Sequence, residues 1–357
     1  MSSSRTGLIQ LGLLGTLTWV WQHRTAVANK HPRHLPPTYQ VILAVFLGYV
    51  VATALLPALA GLDPLASGAW ARLRTGDALC SSRITLWRNV LHLIAQKPWM
   101  GWGWGELDYA HFITLYPGAR FCDILDNAHN LPLHLAVELG LPAALLACGM
   151  AAWLVWRAKP WLETNTTRQL AWGVLAVIGL HSLLEYPLWY GPFQTAAILS
   201  VWMLWRSSQH QATRTAEATC KTRTVYVQLG AALVLLALCG ITAWNYQLVS
   251  QIYLPPQARL ADYRDNTMEK LSKLAFFQDQ VRFADLTTTE LDAQNAQKVH
   301  DLALDMLHFS PESRVIELVL ESAKLLGRDK EVDFYAARYQ AAFPQAHARW
   351  AATQPTQ

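Results

Sequence analysis

The stretch Asn127-Ala-His-Asn-Leu-Pro-Leu-His-Leu-Ala-Val-Glu-Leu-Gly140 lies where a long polar segment meets an apolar run of membrane-spanning length. It places His129, His134 and Glu138 at the edge of a bilayer, where ionisable groups are costly and therefore indicate a site. His134 and Glu138 are four residues apart and share one face of a predicted helix. The alternative is an interfacial helix whose polar groups reach into water, and the stretch alone favours neither interpretation.

The composition of the whole chain is that of a membrane protein. Charged residues make up 15% of the 357 residues and hydrophobic residues 52%, which argues against a protein that is soluble throughout. Several apolar runs approach or reach the roughly 17 to 25 residues that a transmembrane helix needs. We predict an all-α, polytopic membrane protein with about six spans, at residues 7–21, 39–60, 141–156, 170–189, 192–205 and 224–246.

Basic residues between these spans predict the topology. The segments 22–38, 157–169 and 206–223 each hold more Lys and Arg than Asp and Glu, so the positive-inside rule puts them in the cytoplasm. Met1 is then outside, for which a missing amino-terminal half is our explanation. The predicted domains are two transmembrane helices (1–60), a periplasmic loop (61–129), transmembrane helices with the functional motifs (130–247) and a helical periplasmic tail (248–357).

Two of the five cysteines, Cys80 and Cys122, lie in the predicted outside loop. A disulfide between them is plausible in an oxidising periplasm, and two unpaired thiols are the alternative. The Cys and His spacing does not match a zinc site. The small net charge of +4 gives no reason to expect a nucleic-acid partner.

The outside loop contains a predicted amphipathic helix at 81–96, followed by the turn Pro98-Trp-Met-Gly-Trp-Gly-Trp-Gly105. Arg83 and Arg88 lie on or beside this helix, and the planar guanidinium suits a phosphate or diphosphate. The alternative is that both arginines meet lipid headgroups, where the tryptophans of the turn also belong. The predicted apolar stripe of the helix consists of Ile84, Trp87, Val90, Leu91 and Ile94.

A second His/Glu pair ends the fourth predicted span, in His181-Ser-Leu-Leu-Glu-Tyr-Pro-Leu188. His181 and Glu185 are four residues apart, and we expect Pro187 to end the helix. Two His/Glu pairs are thus predicted to reach the same face of the membrane from two different spans.

Four motifs together resemble the O-antigen ligase and polymerase superfamily: Arg83-x-x-x-Trp87, Pro98-Trp-x-Gly-Trp-Gly, Asn127-Ala-His-Asn-x-x-Leu-x-x-x-x-Glu-x-Gly140 and His181-Ser-x-x-Glu-Tyr-Pro-Leu. The last motif and the helical tail look most like the bacterial protein O-oligosaccharyltransferase branch. Relatives carry more spans, so the chain looks like a carboxy-terminal portion of such an enzyme.

The resemblance implies a metal-independent glycosyltransferase of the bacterial inner membrane, with no cofactor and with its site on the periplasmic side. The donor would be a glycan on undecaprenyl diphosphate, and the acceptor a hydroxyl of a pilin-like protein, of lipid A or of a growing polysaccharide. His129 matches the histidine thought to activate the acceptor hydroxyl, and Arg83 or Arg88 would neutralise the diphosphate. The remaining candidate site residues are Glu138, His181, Glu185 and Tyr186.

Two other function classes stay open, a transporter with proton-relaying His/Glu pairs and a membrane-anchored scaffold. The tail resembles tetratricopeptide-like helix pairs, which could bind the acceptor protein or only cap the membrane domain. Within it, Ser310-Pro311-Glu312 predicts a helix start with Ser310 as the cap, and Gly327 predicts its end. The next helix is predicted at 330–342.

Overall fold

The computed structural model describes residues 5–28, 38–59, 61, 79–212, 221–274 and 276–354. All regular elements within these ranges are helical, as the sequence predicts. The α-helices are α1 (Arg5–Ala28), α2 (Thr38–Leu59), α3 (Arg83–Gln96), α4 (Leu107–Ile113), α5 (Leu131–Leu139), α6 (Leu141–Ala158), α7 (Thr166–Ser182), α8 (Gly191–Ala212), α9 (Lys221–Val249), α10 (Thr267–Leu271), α11 (Gln278–Thr288), α12 (Ala296–Phe309), α13 (Ser313–Leu325), α14 (Asp329–Ala342) and α15 (Pro344–Thr353).

Six of these helices, α1, α2 and α6 to α9, coincide with the six predicted spans. By length and composition, Leu141–Leu162 and Leu229–Tyr253 are long and apolar enough to cross a membrane, and Tyr39–Ala52 is a shorter apolar segment. The number of six spans therefore stays a prediction. The fourth predicted span ends at Ser182 rather than at 189, because the chain turns before Pro187.

The helices form two compact units. The first comprises Met1–Leu107 and Tyr116–Arg214, and the second comprises Asp108–Leu115 and Thr215–Gln357. The predicted outside loop is thus divided, because the short segment that contains most of α4 groups with the tail.

In the first unit, the ends of four helices, α1, α6, α7 and α8, lie close together. The indole Nε1–H of Trp21 in α1 donates to the carbonyl oxygen of Pro160, at 2.8 Å. Arg168, at the start of α7, donates at 2.9 Å to both the Leu204 carbonyl and the Ser207 hydroxyl of α8. The three basic segments therefore begin at one end of this unit, and their cytoplasmic location stays a prediction.

Helix α3 packs against α5 through a face that only partly coincides with the predicted stripe, since Val90 and Ile94 are buried as predicted. Leu86, Val90 and Leu93 are buried, whereas Ile84 is 69% exposed and Leu91 54% exposed. The predicted stripe was wrong at these two exposed positions. A hydropathy pattern places polar Asn89 outside, but Asn89 is buried because its amide bonds both Ala119 O and Phe121 N.

The turn after α3 is joined to the carboxyl end of α5 through backbone hydrogen bonds. The N–H groups of Trp102 and Gly103 donate to the carbonyls of Val137 and Glu138, at 2.8 and 2.9 Å. Two glycines permit this approach. A Cβ on Gly101 would lie 2.3 Å from the Glu138 carbonyl oxygen, and a Cβ on Gly140 would lie 2.2 Å from the Trp99 carbonyl oxygen.

Gly140 also separates α5 from α6, which confirms the helix break that the sequence predicts. Its φ of +88° lies in the region that L side chains rarely adopt. Helix α5, which carries His134 and Glu138, therefore ends before the apolar run of α6 begins.

The second unit has its own apolar core, formed by α11 to α15 together with α4. Phe112 of α4 is buried there with Leu286 and Val315. The Arg338 Nε–H donates to the carbonyl of Ile113, at 2.7 Å. A segment of the outside loop is thus part of the core of the tail.

The helix boundaries in the tail mostly follow the sequence, with one correction. Helix α13 begins at Ser313, and Ser310 instead follows the end of α12, so the predicted cap was wrong. The backbone N–H of Ser310 is bonded to the Met306 carbonyl, at 2.8 Å, as a continuation of the preceding helix. The predicted helix at 330–342 is present as α14.

We expect Gly101→Ala to lower thermal stability more than Gly105→Ala does. Both glycines have positive φ, so either alanine carries a backbone strain of about 1–3 kcal/mol. The added Cβ meets the Glu138 carbonyl only at position 101, because the space around Gly105 is open. The measurement is the thermal midpoint of the purified protein in detergent. Equal shifts for the two variants would contradict the close backbone approach.

We expect Phe112→Ala to destabilise the second unit by about 3–5 kcal/mol, because it empties a buried aromatic site. The measurement is the rate of limited proteolysis within residues 248–354. Leu115→Ala is the matched control, since Leu115 lies in the same segment but is half exposed. Unchanged proteolysis of the Phe112→Ala protein would show that α4 is dispensable for this core.

Candidate active site

His129 lies in the turn just before α5 and has an unusual backbone conformation. Its φ is +50°, a left-handed value that is uncommon for residues other than glycine and recurs at functional sites. The His129 N–H donates to the Asn127 Oδ1 atom, at 2.9 Å, which stabilises the turn. The buried Asn127 thus helps to fix the position from which the imidazole projects.

The carboxylate of Glu185 joins His129 to Arg83. Its Oε2 atom is 2.7 Å from Nδ1 of His129, and its Oε1 atom accepts from the guanidinium of Arg83. Arg83 also donates to the carbonyl of Leu184. All three charged or titratable side chains are about one-third exposed, so a substrate can reach them from solvent.

Three hydrogen bonds between side chains and the backbone hold the segments that carry Arg83, His129 and Glu185 in place. The Asn130 side-chain amide donates to the Leu183 carbonyl, at 3.0 Å, while its oxygen caps α5 at Leu133 N. The indole N–H of Trp87 donates to the Ala128 carbonyl, also at 3.0 Å. The motifs on α3, before α5 and after α7 therefore converge on one site.

Tyr186 covers one side of the imidazole. Its ring packs edge to face against His129, with centroids 4.8 Å apart, and stacks on Tyr190 at 5.6 Å. A hydrogen bond with the Tyr190 hydroxyl and partial burial raise the pKa of Tyr186 to about 12. At neutral pH Tyr186 is therefore an uncharged phenol, suited to donate a hydrogen bond rather than to act as a base.

His134 and Glu138 form a separate, buried pair. Nε2 of His134 lies 3.4 Å from Oε2 of Glu138, and the carboxyl group accepts hydrogen bonds from the backbone N–H groups of Gly105 and Leu107. The short separation suggests an ion pair, but burial lowers the pKa of His134 to about 4 and raises that of Glu138 to about 7. We take the pair as neutral between those values, because burial penalises both charges.

The predicted catalytic residue Glu138 therefore lies beneath the surface. Within the described ranges, Glu138 contacts His134 and the turn after α3. It does not contact Arg83, Glu185 or His129. Glu138 is therefore placed to position the turn after α3.

His181 does not pair with Glu185 as the sequence predicted. The backbone N–H of Glu185 still donates to the His181 carbonyl, at 2.8 Å. The regular helix α7 nevertheless ends at Ser182, and the Glu185 carboxylate contacts His129 and Arg83 instead. The half-buried His181 ring packs edge to face against Phe193, with centroids 5.5 Å apart. The predicted pairing was wrong because the turn redirects Glu185 towards His129.

Arg88 lies on a different face of α3 from Arg83. It is exposed, between the exposed apolar side chains of Ile84 and Leu91. This face suits a lipid headgroup layer, where arginine and apolar side chains occur together. The structure therefore groups only one of the two predicted arginines with His129.

A disulfide joins Cys80 and Cys122 just before α3, with Cα atoms 5.2 Å apart. The backbone N–H of Cys122 also donates to the Cys80 carbonyl, at 3.2 Å. Because Ser82 caps α3, the crosslink lies directly before the turn of helix that carries Arg83. The crosslink thus restrains the chain on both sides of α3.

Four further residues contribute to the site although they were not among the predicted site residues. Asn130 lies within one of the four motifs, and Trp104, Trp189 and Tyr190 lie within two residues of one. Asn130 belongs to the Asn-Ala-His-Asn motif, and its position before an apolar helix was a readable capping signal. The contact of Tyr190 with Tyr186 depends on the turn after α7, which local periodicity does not predict.

The arrangement offers three chemical functions at one half-exposed place. If Nδ1–H of His129 donates to Glu185, Nε2 of the imidazole is left to accept a proton. Arg83 supplies positive charge, and Tyr186 supplies a hydroxyl donor. Within the described residues, no group of three or more His, Cys, Asp or Glu side chains is arranged to hold a metal ion.

Comparisons with known proteins cover most of the chain. Residues 169–357 match the family described as "Virulence factor membrane-bound polymerase, C-terminal", and residues 1–148 match the family described as "O-Antigen ligase". No solved structure matches the chain.

Two curated relatives come from Acinetobacter baylyi (strain ATCC 33305 / BD413 / ADP1). A general O-oligosaccharyltransferase is 27% identical over 206 residues, which cover 54% of this chain and 33% of the relative. A ComP-specific O-oligosaccharyltransferase is 27% identical over 113 residues, which cover 32% of this chain and 20% of the relative. The matches thus span a third or less of the length of each relative.

The first family match alone covers more than half of the chain, and the second adds most of the remainder. The chain therefore belongs to the membrane-bound polymerase family of the O-antigen ligase superfamily and is similar to its O-oligosaccharyltransferase branch.

Proposed function

We propose that this chain transfers a preassembled glycan from undecaprenyl diphosphate to a serine or threonine hydroxyl of a pilin-like protein. The transfer takes place at the periplasmic face of the bacterial inner membrane. The proposal rests on family membership for the class of reaction and on the Arg83–Glu185–His129 cluster for the mechanism.

The observation that carries the mechanism is the 2.7 Å contact between Glu185 and Nδ1 of His129. A carboxylate on Nδ1 orients the ring and selects the tautomer whose Nε2 is unprotonated. The same carboxylate also stabilises the imidazolium that forms when Nε2 accepts a proton. His129 is therefore the general base of the proposal.

In the proposed step, the acceptor hydroxyl oxygen attacks the anomeric carbon of the first sugar. Its proton passes to Nε2 of His129, and the bond between that carbon and the diphosphate oxygen breaks. The electron pair leaves with undecaprenyl diphosphate, which needs neutralisation of charge rather than protonation. The imidazolium later releases its proton to water.

Arg83 has two functions in this proposal. Its contact with Glu185 holds the carboxylate against His129, and its remaining N–H donors face the charge that develops on the leaving diphosphate. Tyr186 donates a hydrogen bond to a substrate oxygen. Arg88 binds phosphate groups of the surrounding lipids, in keeping with its exposed position between apolar side chains.

Two observations support a periplasmic location. The disulfide between Cys80 and Cys122 requires an oxidising compartment, and it adjoins the start of the helix that carries Arg83. The basic segments, which the positive-inside rule assigns to the cytoplasm, begin at the ends of α1, α6 and α8. The turn with Glu185 follows the opposite end of α7, and it therefore faces the periplasm in this topology.

The description of the matched polymerase family favours a second candidate, the extension of a polysaccharide. The same base would activate a sugar hydroxyl instead of a protein hydroxyl. Attachment of the glycan to lipid A is the third form of this chemistry. The helical tail is our candidate docking element for a protein acceptor.

The test is expression of this chain in cells that make the lipid-linked glycan and a pilin-like acceptor but lack their own transferase. We expect the acceptor to gain the glycan mass in intact-protein mass spectrometry. Longer free polymer without modified protein would favour the polymerase, and modified lipid A would favour the ligase. No glycan-bearing product of any kind, from chain detected in the membrane, would contradict the proposal.

We expect His129→Ala to reduce transfer by about 10² to 10⁴-fold, because it removes the general base. The affinity for the lipid-linked donor should persist, and the amount of protein in the membrane must be matched. The comparison variant is His181→Ala, whose ring packs on Phe193 outside the cluster and should cost far less. The base would be reassigned if His129→Ala transferred glycan at a near-normal rate.

We expect Arg83→Lys and Glu185→Gln each to lower kcat, and we expect the double variant to lose less than the product of the two single losses. The losses should multiply only in part, because Arg83 and Glu185 share one contact that orients His129, whereas Arg83 also neutralises the leaving diphosphate. Arg83→Lys should also raise the donor KM, since a point charge does not replace the planar fork. Steady-state kinetics with varied donor measure both quantities, and multiplied kcat losses would show that the two residues act independently.

A further inference from the structure

Two tryptophan rings stack on each other next to the cluster of Arg83, Glu185 and His129. The rings of Trp104 and Trp189 have centroids 6.1 Å apart and planes inclined by 18°. Trp104 is 63% exposed and Trp189 is 41% exposed. The stacked pair is therefore an accessible aromatic site, which we call the tryptophan ledge.

The indole N–H groups distinguish this ledge from the other tryptophans near the site. Trp87 and Trp102 direct their indole N–H groups inward, to the carbonyls of Ala128 and Leu93. In the part of the chain that the structure describes, the indole N–H groups of Trp104 and Trp189 have no protein acceptor. The ledge therefore combines apolar faces with hydrogen-bond donors that a ligand can use.

The ledge is held rigidly from below. The buried His134 ring contacts Trp189 edge to face at 4.9 Å and Trp104 at 6.1 Å. Glu138 accepts the backbone N–H of Gly105, the residue that follows Trp104. The buried His134–Glu138 pair, which does not contact the cluster, thus holds the rings of Trp104 and Trp189 in place.

The ledge also adjoins the proposed base. The backbone N–H of Trp189 donates to the Tyr186 carbonyl, at 3.1 Å, in the short 3-10 turn Pro187–Trp189. The Tyr186 ring itself packs on His129. A ligand bound across the ledge would therefore lie a short distance along the surface from His129.

Resting on the function proposed above, we propose that Trp104 and Trp189 form a subsite that binds a sugar ring of the donor glycan. The C–H face of a pyranose is apolar and packs on an aromatic face, while its hydroxyl oxygens accept from the indole N–H groups. Tryptophans that only anchor a protein in the headgroup layer need no partner ring and no buried support. The ledge has both, which favours a defined ligand.

The binding experiment uses the full chain in lipid nanodiscs with two probes, undecaprenyl diphosphate bearing the glycan and undecaprenyl diphosphate alone. We expect Trp104→Ala and Trp189→Ala each to raise the Kd of the glycan-bearing probe about tenfold, the size of one good aromatic contact. The Kd of the bare lipid should not change. Trp104→Phe and Trp189→Phe keep an aromatic face and should lose less.

Trp99→Ala is the matched control, because Trp99 lies in the same turn and is 74% exposed. Unlike Trp104, it does not stack on another aromatic ring within the described residues. Its Kd for both probes should stay at the wild-type value. An equal effect of Trp99→Ala would assign the tryptophans to the headgroup layer and overturn the subsite. Equal weakening of both probes by the ledge variants, or no weakening at all, would also overturn it.

The same experiment separates this inference from the proposed function. A wild-type chain that binds the glycan-bearing lipid more tightly than the bare lipid, but transfers no glycan, would contradict the function alone. A wild-type chain that does not distinguish the two probes would contradict the subsite alone.

Discussion

The shared carboxylate of Glu185 is the contact on which the candidate site depends. It lies against Nδ1 of His129 and against the guanidinium of Arg83, which come from segments 56 and 102 residues away in the chain. A half-exposed ion pair alone contributes little to stability. Here its consequence is geometric, because one acidic group fixes the orientation of both the proposed base and the proposed cation.

Gly101, in the turn after α3, and Gly140, at the end of α5, impose a second constraint on the structure. They allow two backbone segments to approach so closely that a methyl group on either Gly101 or Gly140 would collide with a carbonyl. The resulting hydrogen bonds carry the turn over the buried His134–Glu138 pair. In the Gly-Trp turn, Gly101 is required because the backbone segments approach closely. Trp104 is instead explained by its exposed aromatic ring.

Much of this architecture could be predicted from the sequence, since apolar runs and capping residues are local signals. The helices at all six predicted spans and the break at Gly140 follow from such signals. The motifs also placed His129, Arg83, Glu185 and Tyr186 among the candidates. The partner of Glu185 could not be predicted, because helical spacing pointed to His181 whereas the chain leaves the helix at Ser182.

Part of the buried face of α3 was predicted incorrectly for a related reason. Hydropathy assigns Asn89 to the outside, but two hydrogen bonds to the 119–121 segment make its burial favourable. The grouping of α4 with the tail was equally unpredictable, because Phe112 and Leu286 are distant in sequence and ordinary in composition. Each of these errors concerns a long-range contact, about which local periodicity carries no information.

The membership of residues 108–115 in the core of the tail has a consequence for how such enzymes diversify. A tail whose core includes a helix from an upstream loop is not an independent folding unit. Recombination at the junction after α9 would deliver a foreign tail without its matching helix and leave an unfilled cleft where Phe112 belongs. New tails would therefore be acquired together with the loop that precedes His129, so the two regions would be inherited as one block.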